Sequence, residues 1–126
     1  MTAGESVIAL KTNLFIFFNT ASAGNIATMP LDGTDIIDAT WGSVTDQALE
    51  LAPHASAVKE DILLFTNGRY VGSYIAGTAT LNVRKLDFGE GAEVVDVVFN
   101  ANVWWIAVNT GSGERTQGQV YVYNGS

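Results

Sequence analysis

His54 is the only histidine in the chain, and Ser56 and Asp61 follow it closely, so a Ser-His-Asp relay would have to be built on these three side chains. The surroundings argue against one. Ser56 lies in Ala55-Ser56-Ala57 and has no nucleophile-elbow pattern around it, while His54 follows Pro53 at the boundary between two repeated units. A turn or a hydrogen bond between units is the reading that position supports. One histidine and no cysteine exclude a zinc site of the usual ligands, which leaves oxygen chemistry as the metal alternative. Asp32, Asp35 and Asp38 are three residues apart in a glycine-containing loop, and Glu90 and Glu93 flank another. Neither stretch has the ligand spacing of an EF-hand, so these carboxylates read as solvated groups or caps on backbone amides. The glycine-rich pieces Gly89-Glu90-Gly91 and Gly111-Ser112-Gly113 lack the lysine and the strand-to-helix context of a phosphate loop. The residues predict no enzyme, no metal and no cofactor.

What must position any site is a β-repeat. Very apolar strands recur at 14–19, 62–67 and 103–109, and their starting residues Leu14, Ile62 and Val103 fall 48 and 41 residues apart. Each is preceded by another strand (7–10, 55–58 and 95–99) and a short turn, Lys11-Thr12-Asn13, Lys59-Glu60-Asp61 or Asn100-Ala101-Asn102. Each is followed by a strand that ends in a turn: 26–31 before Asp32-Gly33, 81–86 before Asp87-Phe88-Gly89, and 120–123 before Asn124-Gly125. The spacing matches the ~40 to 50 residues of a propeller blade, and the unit reads as an antiparallel meander. The chain is therefore expected to be one all-β domain over 1–126, with approximate repeats 5–53, 54–93 and 94–126. Asn67-Gly68 is the strongest hairpin signal, and the segment from Val44 to Leu51, stopped by Pro53, is the one candidate for a helical turn. Adjacent Trp104 and Trp105 make their strand apolar on both faces, which predicts sheets stacked on both sides and a core position for both tryptophans.

Composition narrows the partners. The 126 residues are 48% hydrophobic and 15% charged, which fits a well-buried domain and excludes a disordered acidic tail. The formal charge is −7, and the three lysines and three arginines are dispersed, so nucleic acid and anionic membrane are poor partners. No apolar run reaches the ~18 residues of a membrane helix, and Met1–Ser6 lacks the basic start of a signal peptide, so the chain reads as soluble.

The third unit, Val97 to Val108 followed by Gln119 to Gly125, resembles the degenerate β-propeller repeats of bacteriophage tail and bacterial surface proteins, themselves similar to the Asp-box repeats of sialidase-like propellers. The second unit contributes Asp87-Phe88-Gly89, with Lys85 where an Asp box would usually carry serine, and the first has Asp32-Gly33 without the intervening residue. The resemblance implies blade architecture and a virion or adhesion setting. It also invites a sialidase reading, which needs an arginine cluster, a tyrosine and an acidic partner. Arg69, Arg84 and Arg115 with Tyr70 and Tyr74 supply the residue types, but such a site is assembled from several blades of a complete ring, and scattered surface arginines are the expectation here.

Rings close with about 4 to 8 blades, so three units are too few. Two copies closing a shared ring, a piece of a larger propeller, and a self-contained β-sandwich are the three architectures left. The leading reading is a non-catalytic structural or recognition subunit, phage-like or surface-associated, which forms a homo-oligomer or joins other structural subunits by strand-edge pairing and blade stacking. The alternative is a lectin-like module that binds a glycan through Tyr70, Tyr74 or Trp41, the aromatics nearest loops. Tyr121 and Tyr123 share a face of the last strand and are the expected contacts with a neighbouring subunit.

Overall fold

The computed structural model describes residues 3–30, 42–43, 49–111 and 117–125. Within them the chain is all strand and turn, in three antiparallel sheets. Sheet 1 holds β1 (Ala3–Leu10), β2 (Asn13–Asn19), β3 (Gly24–Pro30) and the two-residue β4 (Gly42–Ser43). Sheet 2 holds β5 (Ser56–Lys59), β6 (Ile62–Asn67), β7 (Tyr70–Ile75) and β8 (Thr80–Asp87). Sheet 3 holds β9 (Glu93–Asn100), β10 (Val103–Thr110) and β11 (Gln117–Tyr123). Every sheet is a meander in chain order, as the repeat pattern predicts. No helix among the described residues is long and apolar enough to cross a membrane.

Two cores separate three layers, where a sandwich would have one core and two. Successive side chains on a strand point to opposite faces, so a run of apolar residues can fill both cores at once. Strand β6 does this: Leu63 and Phe65 enter the core shared with sheet 1, beside Phe15, Phe17 and Ile26. Leu64, between them, enters the core shared with sheet 3, beside Val97, Trp104 and Ile106. The Phe17 and Phe65 rings meet at 5.2 Å and 46°, a tilted contact that aromatic quadrupoles favour. Backbones of adjacent sheets come together at the first strands, β5 approaching β1 on one side and β9 on the other.

Three sequence expectations change. The strand over 81–86 is the fourth of its sheet, because β7 lies between it and β6, and its residues Val71-Gly72-Ser73 are too sparsely apolar at the centre to announce a strand. In the candidate helical turn, 44–48 lie outside the described residues, and Leu49 exchanges both backbone hydrogen bonds with Gly24, at 3.0 and 3.1 Å, in an antiparallel bridge. Trp104 is buried at 2% exposure, but Trp105 is 38% exposed, because sheet 3 has no described sheet on its far side.

Turn chemistry follows the two-residue geometry. Leu10 pairs with Asn13, Lys59 with Ile62 and Asn100 with Val103, and the intervening turns take positive φ at Lys11 (55°), Glu60 (54°), Ala101 (52°) and Asn102 (66°). Asn tolerates that region, whereas the Cβ of Ala101 crowds its own backbone there. Gly72 meets the opposite demand. Paired with Phe65, it lies under the phenylalanine ring, and a Cβ placed on it would stand 2.2 Å from Cζ.

Gly72→Ala is therefore expected to lower unfolding stability by ~1 to 3 kcal/mol, read as a fall in the urea midpoint, because a core aromatic must leave its rotamer. Ala101→Gly is expected to act oppositely, raising stability by roughly 0.5 to 1 kcal/mol in the same assay as the left-handed strain is relieved against the larger entropy of the unfolded chain.

Candidate functional site

Two regions bear on function, one where the β6–β7 hairpin meets the sheet 2 to sheet 3 connection and one on sheet 3. The first surrounds the β6–β7 hairpin. Asn67 pairs with Tyr70 across a Gly68-Arg69 turn, with Gly68 at φ 66°. The carbonyls of that turn accept amides from the following connection, Val94 N–H to Gly68 O at 2.7 Å and Phe88 N–H to Arg69 O at 3.0 Å. Fully buried Asn67 donates through Nδ2 to the Val83 carbonyl at 2.7 Å, where β7–β8 pairing is interrupted, and its Oδ1 accepts the Glu50 amide at 2.7 Å. One side-chain amide thus replaces missing ladder bonds and pins the 49–55 loop to the sheet.

On this support the Arg69 and Arg84 guanidiniums each lie 4.9 Å from the Tyr70 ring centroid. Arg69 forks onto Asp87, with Nε 3.1 Å from Oδ1 and Nη2 donating to Oδ2 at 3.2 Å, and Arg84 Nη2 donates to Glu50 Oε1 at 3.0 Å. Desolvation pulls the Arg69 pKa down, but Asp87 and Tyr70 outweigh it and hold the group above its ordinary value. A cleft of about 330 Å³ opens beside the cluster, lined in part by Glu50, Arg69, Tyr70 and Glu90. The arginines are gathered rather than scattered, a departure from the sequence expectation, yet each is matched to a carboxylate, so neither offers the uncommitted fork that a sialidase-like carboxylate clamp requires. Arg115 lies outside the described residues.

The remaining expected residues part company. Tyr70 and Tyr74 are four apart on β7, about 13 Å along the strand, and do not form one platform. Tyr74 packs on Phe15 at 5.2 Å against the first core, because a strand where a loop was expected turns its ring inward. Trp41, Asp32, Asp35 and Asp38 lie outside the described residues. His54 is buried at 3% exposure, its ring stacks on Phe17 at 5.9 Å and 23°, and its carbonyl accepts Ser6 Oγ at 2.7 Å, a joint between sheet 1 and the entry to sheet 2. Asp61 instead accepts the Gly77 amide at 3.3 Å in a turn. Among the described residues no cluster of three histidine or acidic side chains forms a metal site.

The second region is sheet 3 itself. Tyr121 and Tyr123 do share a face, but register places it with Ile106 and Trp104 and so towards sheet 2. Tyr121 meets Phe88 at 5.0 Å and donates to Gln119 Oε1 at 2.7 Å, and Tyr123 packs against the second core. Both tyrosines thus sit on the sheet 2 side of β11, and Tyr121 keeps 41% of its surface exposed there. The far face carries Val98, Trp105 and Val122 in one cross-strand row and Asp96, Ala107 and Val120 in the next. Val98 (47%), Trp105 (38%), Val120 (66%) and Val122 (58%) are all substantially exposed, and the first three line a groove of about 190 Å³ with Asp96 and Ala107. The Trp105 indole N–H donates to the Asn100 carbonyl at 3.0 Å, which fixes the ring on the face. Sequence reasoning missed these four because it assigned cover to both sides of every apolar strand. The signal was Trp104-Trp105, one of which must face outward in a terminal sheet.

Compared with known proteins, the chain matches no family model, no curated protein and no solved structure. Function has to be read from these faces and edges.

Asn67→Ala is expected to cost roughly 1 to 3 kcal/mol of unfolding stability, since it leaves the Val83 carbonyl and the Glu50 amide without their partner. Hydrogen exchange should rise first at the Glu50 amide, with the β9–β10 amides little changed.

Proposed function

We propose that the chain is a non-catalytic structural or recognition subunit of propeller type, phage-like or surface-associated, which works by assembling with copies of itself or with other structural subunits. One observation carries the reading: sheet 3 is an antiparallel meander like sheet 2, which is covered on both faces, and yet presents a row of exposed valines and a tryptophan on its far face. Apolar side chains set side by side on a sheet mark a place where another layer packs, since each buried Å² of such surface is worth about 25 cal/mol. The convergence of first strands β1, β5 and β9 supports blade-like splaying, in which each sheet receives the next on its open face.

The chemistry elsewhere is consistent with binding by shape. The arginine–tyrosine cluster is internally paired, and His54 serves the packing between sheets. A lectin-like role through Tyr70 or Tyr74 would need those rings free, whereas the Tyr70 ring already carries two guanidiniums and the Tyr74 ring packs on Phe15.

Light scattering is expected to give a solution mass that is a multiple of the 13.4 kDa chain and rises with concentration. Trp105→Gln should lower that mass at a given concentration while leaving the circular dichroism unchanged. A mass of one chain at every concentration overturns the assembly reading.

A further inference from the structure

Each sheet has two edge strands, and the six differ in how well they are guarded. Exposed edges are ordinarily protected by charge, brevity or irregularity, because a free row of N–H and C=O groups pairs with any strand that reaches it. Strand β4 comprises two residues among those described, too few to seat a partner strand on. Strand β8 carries Arg84, Lys85 and Asp87 and breaks register opposite β7. Strand β11 has none of these devices. Its sequence Gln-Gly-Gln-Val-Tyr-Val-Tyr contains no charge and no proline, it pairs with β10 over seven residues without a register shift, and it is the edge of its sheet. Sheets 1 and 2 have four strands, and sheet 3 has three among the described residues.

We infer that β11 is a strand-addition site whose occupant is the β11 strand of a second copy, paired antiparallel about a two-fold axis. This rests on the assembly reading above and names the surface that begins it. The occupant is identified by elimination and by charge. A donor strand must itself have an unguarded edge: β1 carries Glu5 at a register shift, β5 is four residues ending in Lys59, and β9 carries Glu93 and Asp96, so among the described elements of a second copy β11 is the edge without such a device. Two chains of formal charge −7 repel, so they meet with least penalty where the surface is neutral. On the far face of sheet 3 the acidic groups Glu93 and Asp96 both stand on β9, while Val120 and Val122 stand on β11, so neutrality increases towards the free edge.

Register follows from length. Centring the axis on Val120 pairs all seven residues of Gln117–Tyr123 with all seven of the partner strand, whereas moving the centre by one residue leaves two unpaired on each strand. That arrangement sets Val120 against its own copy and Tyr121 against Gln119, both favourable cross-strand neighbours. Val120 and Val122, at 66% and 58% exposure, become interior members of a six-stranded sheet. The contact is isologous and closes at two copies, so it yields a dimer and not an open fibre.

The test uses the absence of cysteine from the chain. In Val120→Cys the two thiols would lie on the axis with Cα atoms about 4.5 to 5.5 Å apart, within the ~4.4 to 6.8 Å span of a disulfide. Mild oxidation is expected to convert it to a disulfide-linked dimer on non-reducing gels. Val7→Cys, on the 58% exposed residue of β1, should remain single under the same conditions. Val120→Lys places like charges across the axis at an exposed position, and should reduce the wild-type mass by half in light scattering while retaining the wild-type circular dichroism. A wild-type oligomer whose mass survives Val120→Lys, or equal cross-linking at both cysteines, overturns the β11 inference and leaves the assembly reading standing. A wild-type chain that is single at every concentration overturns both.

Discussion

Strand β6 has water on neither face, and the arrangement of the molecule follows from that constraint. Five consecutive residues, Leu63 to Asn67, are buried, so the strand must be covered twice. Leu63 and Phe65 bind one layer and Leu64 the other, which makes sheet 2 a shared wall and couples both cores through a single backbone. Its two polar members are the points where that backbone needs help. Thr66 accepts the Ala55 amide at 2.8 Å, and Asn67 bonds Val83 and Glu50, so the loop entering the sheet and the irregular β7–β8 ladder are both fastened to β6. A buried polar group with all its partners present rigidifies the core, whereas the same group half satisfied would weaken it.

The same stacking rule explains why the last sheet is the one on which the assembly proposal rests. Sheet 3 offers sheet 2 a face of Val97, Trp104, Ile106 and Val108, and offers the outside a face of Val98, Trp105, Val120 and Val122. The two faces are close to equal in apolar character. Only one is covered within the described chain, so the distinction between core and surface is made by position in the stack and not by side-chain type. This also separates the exposed face from scattered surface hydrophobics, which need no explanation, because its members are cross-strand neighbours in register.

Much of this was legible in the residues. The apolar β2, β6 and β10 strands, their leading partners and the two-residue turns all declare themselves by β-branched and aromatic runs broken by Asn, Asp and Gly. Strand β7 does not, because Gly72 is chosen for the space it leaves to Phe65 and carries no strand signal of its own. The tyrosines were legible as a pair sharing a face of β11, but which face turns inward depends on the sheet that packs there, a tertiary fact outside the strand's own sequence. The arginine cluster was hidden for a similar reason. Arg69 and Arg84 are 15 positions apart and meet at Tyr70 only because β7 and β8 are hydrogen-bonded neighbours.

Charge placement gives the uncharged strand its meaning. Glu50 and Asp87 are paired with arginines, and Asp61 holds a turn amide, so part of the acidic excess is spent on internal geometry. Asp96 accepts the Val97 amide at 2.9 Å on the strand of sheet 3 farthest from its open edge. Long-range repulsion between copies is then weakest at β11, which carries no charged residue, and it falls as salt screens it over about 10 Å at 0.1 M ionic strength. Apolar contact and backbone pairing are short-ranged and insensitive to that screening. If a second copy docks at β11 as inferred above, net charge would hold the chains apart in other orientations and disfavour least the one that brings uncharged edge to uncharged edge, so the acidic composition would bear on geometry as well as on partner class.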